Sequence, residues 1–569
     1  MFHFKRIILG WKVNLNVKKL YSNGKMKMLM QMLQGSSIVS VTNSAVQRKA
    51  FPFLKKCHFS SHKVPNNKIT RNTVVTPFPP LTKPVPNLPK AIYATTKEEH
   101  HVTKVTVLSN GLRVASENRF GPFCTIGVII DSGPRYEVAY PSGISHFLEK
   151  LAFGATKTYE NKDQVLLTLD KLGGICDCQV GRDTCTYAAS TEHRGLDKVV
   201  QILGDIVLRP KITQEEVNAA RQMISFELES LLTRPEQELI LTDMIHAAAY
   251  RNNTLGLPRI CPKENIDVID RKILFEYLKH HYTPNRMVVA GCGVEHEDLV
   301  SAVQKYFVDE KPIWEEEQGT SKSTLNTVDA SIAQYTGGYM LEECNIPVYV
   351  GPSGLPELSH VVIGLEACSH EDPDFVPLCV LNMMMGGGNS FSAGGPGKGM
   401  FTRLFLNVLN RYHWIHSAVA CNHVYIDTGL FCIHSSCTPS YVKDMVEVII
   451  HEMVSMANCI MDSELARAKK QLQSMVFMNL ETRPVMFEDI GKQVLAIGYR
   501  KRPEYYIEAI DAVSREDIKN VVRRLLKSPP SVAARGEIKT LPSIGDIQAA
   551  LIDEQGRLPG SRSRLSLLR

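Results

Sequence analysis

Two parts of this chain are versions of one another, and that repeat constrains the fold most. Glu464 to Pro484 laid against Glu215 to Pro235 matches at a constant offset of 249, down to the shared ending Thr233-Arg234-Pro235 and Thr482-Arg483-Pro484. Asp267 to Tyr282, followed by Arg286-Met287-Val288-Val289-Ala290-Gly291, is likewise similar to Val513 to Leu526, followed by Ser531-Val532-Ala533-Ala534-Arg535-Gly536. The repeat predicts an α+β protein of two homologous halves, 101–310 and 351–540. Each half is expected to be a mostly antiparallel sheet with helices packed on one face, and the halves to face each other across a cleft, the natural place for binding. A linker at 311–350, containing Glu315-Glu316-Glu317, would join them, with a tail at 541–569.

Within the first half, Val105 to Val114 reads as a hairpin turning at Asn110-Gly111, a pair that supplies positive φ. Cys124 to Ile130 is an apolar strand. A helix from about Gly143 is expected to end at Gly154, where a cap glycine belongs. A further helix, Asp163 to Leu172, precedes two strands either side of Gly181-Arg182. Leu196 to Leu208 and Gln214 to Leu232 are amphipathic helical runs.

Ahead of this body the composition changes. Residues 1–97 carry 17 Lys and Arg and no acid, so the +6 of the whole chain leaves −11 for the remainder. A basic, hydroxyl-rich, acid-free N-terminus is the pattern of a mitochondrial transit peptide, placed at 1–60 and ending near Phe59-Ser60-Ser61. A basic tail for nucleic acid or membrane is the alternative; 97 residues without an acid favour targeting, and no nucleic-acid partner is expected. Seven prolines between 65 and 89 make 61–100 an extended arm. No apolar run approaches the roughly 18 residues that cross a bilayer. The 14 cysteines include no C-x-x-C and are expected to be reduced thiols.

The expected helix from Gly143 places His146, Glu149 and Lys150 on one face, at i, i+3 and i+4. With histidine at 150 this would be H-x-x-E-H, in which two imidazoles hold zinc and the glutamate takes a proton from its water. An ammonium has no lone pair to donate. One imidazole falls short of the three protein ligands a catalytic zinc needs. Lys150 is therefore expected to stand in for the cation electrostatically. His370-Glu371 and His451-Glu452 lack a second histidine and read as solvated polar pairs.

From 386 to 399 the sequence is Gly386-Gly387-Gly388-Asn389-Ser390-Phe391-Ser392-Ala393-Gly394-Gly395-Pro396-Gly397-Lys398-Gly399, half of it glycine. Such a composition opposes regular helix or strand. Walker A fails because Gly397-Lys398 is followed by Gly399 and preceded five positions earlier by Ser392; G-x-G-x-x-G fails at Phe391. A mere linker would join domains, whereas this stretch sits inside the second half, between Val376–Met385 and a helix expected at Met400 to Asn410. It reads as a binding loop anchored between ordered elements.

On the motif at 146–150 and on Glu227, 77 residues after Lys150, the chain resembles the pitrilysin/insulinase-type metallopeptidases over about 101–540. The resemblance puts His146, Glu149 and Glu227 at the first-histidine, acid–base and third-ligand positions, with Lys150 replacing the second histidine. The resemblance thus implies a degenerate site, with no catalytic residue and no metal of its own. The run Gly386 to Lys398 with Met400-Phe401-Thr402-Arg403-Leu404 resembles the glycine-rich loop of the processing-peptidase branch of that family, with Asn389 as a departure. That branch pairs a non-catalytic subunit, which captures presequence peptides, with a β subunit carrying zinc. The resemblance implies a β-subunit partner, presequences as ligands, no cofactor in this chain, and a place in the mitochondrial matrix with possible inner-membrane association. The core subunits of the respiratory ubiquinol–cytochrome c reductase share this fold and supply the alternative.

Overall fold

The computed structural model describes residues 101–316, 331–347, 356–389 and 400–560. The expected transit peptide and proline-rich arm, together with 390–399 of the glycine stretch, lie outside the described residues. The body holds two six-stranded sheets. The first contains β1 (Lys104–Val107), β2 (Arg113–Glu117), β3 (Phe123–Ile130), β4 (Ile175–Val180), β5 (Cys185–Glu192) and β6 (Met287–Cys292), in the order β1-β2-β6-β3-β5-β4. The second contains β7 (Gly338–Glu343), β8 (Ser359–Ala367), β9 (Gly387–Asn389), β10 (Ile415–Val424), β11 (Gly429–Cys437) and β12 (Ser531–Gly536), in the order β7-β12-β8-β11-β10-β9. Each sheet has one parallel pair, β2 with β6 and β7 with β12, and its other pairs are antiparallel. Superposing the orders equates β2, β6, β3, β5 and β4 with β7, β12, β8, β11 and β10. The duplication is thus a duplication of topology, and β1 and β9 are additions at the edges.

Strand alternation explains the layers. On β8 and β11, Val361, Ile363, Leu365, Phe431 and Ile433 join a core with the helices Phe375–Met385, Val442–Asn458 and Arg515–Leu526 of the same half. Val114, Ile126, Val128 and Ile130 do the same with Leu196–Leu208 and Gln214–Thr233 in the first half. The opposite faces are covered by exchange. Helix Glu238–Ala249, from the first half, lays Leu241, Met244, Ile245 and Ala249 on Val362, Cys421, Leu430, Cys432 and Ala533 of the second sheet. Helix Arg483–Ile497, from the second half, lays Met486, Phe487, Ile490 and Val494 on Ala115, Ile129, Val288 and Ala290 of the first.

Polar ties follow the same routes. The Arg113 guanidinium donates to the carbonyls of Val494 and Leu495 at 2.8 and 3.0 Å, closing the C-terminal end of the exchanged helix. Buried Arg500 meets buried Glu117 at 2.5 Å, and Arg135 meets Asp427 across the halves.

Several boundaries differ from the sequence reading. The segment 338–343, placed in the linker, is β7, held by parallel pairing with β12. The tail at 541–569 contains helix Ile544–Ile552, whose Ile547, Ala550 and Leu551 are buried in the second core. The motif helix runs Ile144–Leu151, and Phe153, at φ 60°, makes the left-handed turn assigned to Gly154. Gly154 is needed for proximity instead: a Cβ there would lie 2.6 Å from the Glu216 carboxylate.

Candidate functional site

Helix Ile144–Leu151 starts on a buried carboxylate. Glu137 accepts from the backbone N–H groups of Gly143 and Ser145, both at 2.6 Å, which satisfies amides that have no partner within the helix. Burial raises the Glu137 pKa, with the Ser145, Gly143 and Ile144 hydrogen bonds opposing that rise. Facing it is helix Gln214–Thr233, which begins with a capping box between Thr213 and Glu216. The second oxygen of Glu216 accepts from Ala155 N–H at 2.7 Å, just past the motif helix. One carboxylate therefore fixes both elements, and Glu227, three turns further along, comes to rest over His146 and Lys150.

The Lys150 Nζ lies 2.5 Å from Glu227 Oε2 and 3.6 Å from Glu149 Oε1. His146 Nε2 lies 3.4 Å from the same Glu227 oxygen. The hydrogen bond from His146, followed by those and the charge of Lys150, holds Glu227 at about 2, against burial that would raise it. All four residues of the degenerate site are thus brought together.

The proton on His146 has a definite place. Its Nδ1 is 3.2 Å from the backbone N–H of Cys261, which can only donate, so Nδ1 carries the lone pair and Nε2 carries the hydrogen. A metal-binding imidazole has the reverse polarity: it offers the lone pair to the ion and donates its other N–H to an acceptor. The residues here do not fit zinc. Lys150 fills the second donor's place with an ammonium, and His146 points a hydrogen at the third. Cys261 is the contributor that sequence reading missed, because it is 115 residues from His146.

The glycine stretch opens as a strand, contrary to the composition argument. Gly387–Asn389 forms β9 at the sheet edge, pairing Gly387 with Val419, Gly388 with Ala418 and Asn389 with Ser417 of β10. Backbone pairing to an existing edge outweighs glycine's low strand propensity. Gly386 and Gly387 have φ of 56° and 99°, and a Cβ on Gly387 would lie 1.9 Å from the Ala418 carbonyl oxygen. At Gly388 a Cβ would meet nothing within 4 Å. The Gly387 N–H donates to Thr402 Oγ1 at 3.1 Å, which pinches the base of the loop. The next residue, Arg403, is clamped on Glu464 at 2.6 and 3.0 Å. Where a regular helix was expected at Met400 to Asn410, there is a π-helical turn at Leu404–Leu409. The acids ahead of the loop are partly engaged: Asp372 and Asp374 pair with Arg524 at 3.0 and 2.8 Å.

Comparison with known proteins agrees with this layout. The insulinase family (peptidase family M16) matches residues 113–263, and the peptidase M16 inactive domain matches 269–472. The mitochondrial-processing peptidase subunit alpha of Bos taurus is 54% identical over 482 residues, covering 84% of this chain and 91% of that protein. The subunit of the same name from Caenorhabditis elegans is 40% identical and covers 89% and 98%. A chain of complex III2 from Candida albicans superposes with a TM-score of 0.63 at 19% identity, covering 78% of this chain and 98% of that one, which shows a common fold. The chain therefore belongs to the insulinase (M16) peptidase family, beside relatives named mitochondrial-processing peptidase subunit alpha.

Proposed function

We propose that this chain is the substrate-recognition subunit of a heterodimeric mitochondrial processing peptidase, which removes N-terminal presequences from imported precursors. It is not a peptidase by itself, and a β subunit supplies the catalytic zinc site. The observation that carries this reading is the Lys150 ammonium 2.5 Å from Glu227, at the position of a zinc ligand. The glycine-rich segment 386–398, pinned at its base by Thr402, is the peptide-handling element. A body of net charge −11 suits basic, amphipathic presequences, drawing them in from a distance. The working place is the mitochondrial matrix, with association at the inner membrane.

The test is a precursor-peptide cleavage assay with this chain alone and then with the β subunit added. No cleavage alone and cleavage with the partner are expected. Cleavage by the chain alone overturns the reading. Removing residues 390–397 spares β9 and should leave the heterodimer intact while weakening precursor binding. A second reading, a core subunit of ubiquinol–cytochrome c reductase, is favoured by the fold shared with the complex III2 chain. Co-purification with respiratory cytochromes separates the two.

A further inference from the structure

The face of the second sheet beneath the exchanged helix Glu238–Ala249 carries a group of side chains that presequence handling does not use. Register sets Cys421 opposite Cys432, His423 opposite Leu430 and His434 opposite Val419. Alternation then puts Cys421 and His423 of β10 on the same face as Cys432 and His434 of β11. One ligand atom from each of His423, Cys432 and His434 lies within 4.8 Å of the others. On β8, Gly364 stands opposite Cys432 and Val362 opposite His434, so no long side chain from that strand crowds the sulfur.

One observation points to a missing partner. The Nε2 of His434 is buried without a hydrogen bond, a condition that costs about 1–3 kcal/mol if nothing relieves it. Cys432 is fully buried, and register places Cys421 directly opposite it on the neighbouring strand. The neighbouring His246 is spoken for: its Nδ1–H donates to the Thr242 carbonyl at 2.6 Å, and its Nε2 accepts from Tyr425 Oη–H at 2.7 Å.

We propose that His423, Cys432 and His434 form a zinc site, with Cys421 as the adjacent donor for the fourth position. Two imidazoles and one or two thiolates without a carboxylate match a borderline-soft d10 ion and mismatch calcium or magnesium. Tetrahedral zinc with these ligands needs donor separations of about 3.3–3.8 Å, so side-chain rotation must close roughly 1 Å. Binding releases the Cys432 thiol proton to solvent and forms a Zn–S bond. The ion would staple β10 to β11, and β10 is the strand on which the glycine strand β9 hangs. This site is separate from the degenerate one in the first half, and stands whether or not the chain recognises presequences.

The full chain, stripped by a chelator, is equilibrated with one equivalent of Zn2+ or Co2+ and passed over a desalting column. One retained metal per chain is expected, with a thiolate-to-cobalt charge-transfer band in the cobalt form. Cys432→Ser and His434→Gln should each weaken zinc at least about tenfold, since even outer-shell changes cost that much, and Cys432→Ser combined with Cys421→Ser should abolish the band. His146→Ala combined with Glu227→Gln should leave both readouts unchanged. Retention of metal without the band, undiminished affinity in Cys432→Ser, or loss in the His146/Glu227 variant would overturn the proposal. Absence of retention would overturn it too and assign the His434 nitrogen to water. If Cys432→Ser does not fold, the cobalt spectrum of the unaltered chain and the His434→Gln titration still decide.

Discussion

Replacing Lys150 with methionine removes the ammonium and keeps an unbranched stem. With Nζ 2.5 Å from Glu227 Oε2, the attraction is about 1.7 kcal/mol even at the dielectric constant of water. The Glu227 side chain is 38% exposed, so screening and the ordering of two side chains bring the net contribution to about 1 kcal/mol. A cycle of Lys150→Met, Glu227→Gln and the double variant, read by urea unfolding, should show that coupling at neutral pH. The pH dependence has a fixed sign. Glu227 sits at about 2 when folded, against an ordinary 4.5. Its stabilisation is complete above pH 4.5 and is lost as pH falls toward 2. Stability should therefore fall less steeply through that window in Glu227→Gln. A coupling below about 0.3 kcal/mol, inside the error of additivity, refutes the ion pair as the replacement for the metal.

Lys150→His should fail to create a stoichiometric zinc site in the first half, because Cys261 N–H still holds the His146 proton on Nε2; metal content measured in a Cys432→Ser background would show it. Asp427→Asn removes the carboxylate that balances the charge of buried Arg135 and should cost about 3–5 kcal/mol in chemical unfolding. Gly387→Ala drives a Cβ into the Ala418 carbonyl and should detach β9, weakening precursor binding, while Gly388→Ala should be silent in the same titration. Phe487→Ala, which empties the contact between the exchanged helix and the first sheet, should destabilise by about 3–5 kcal/mol.

The duplication was legible because matched helices and strands recur at a fixed spacing, and both sheets follow it. The exchange of Glu238–Ala249 and Arg483–Ile497 was not, since an apolar face reads the same whichever sheet it covers. His146, Glu149, Lys150 and Glu227 could be assembled from helical spacing and family resemblance, but the proton on His146 could not. It depends on one amide of Cys261 brought in by the fold. The strand at Gly387–Asn389 was hidden because glycine propensity says nothing about an available edge. His423, Cys432 and His434 escaped for a related reason: cross-strand register, rather than linear spacing, brings them together, and C-x-x-C was the wrong pattern to seek.

The exchanged helices also set an order of events during synthesis. The Arg113 guanidinium finds its carbonyl partner on Val494, 381 residues downstream. Until 483–497 has emerged, Ala115, Ile129, Val288 and Ala290 have no cover, and the N-terminal half has no finished state to reach. A chain threaded N-terminus first therefore carries an unsealed apolar sheet through most of its delivery. Contacts of such sequence separation form slowly and leave intermediates prone to association. Completion of the first sheet waits for the helix at 483–497, in the C-terminal third.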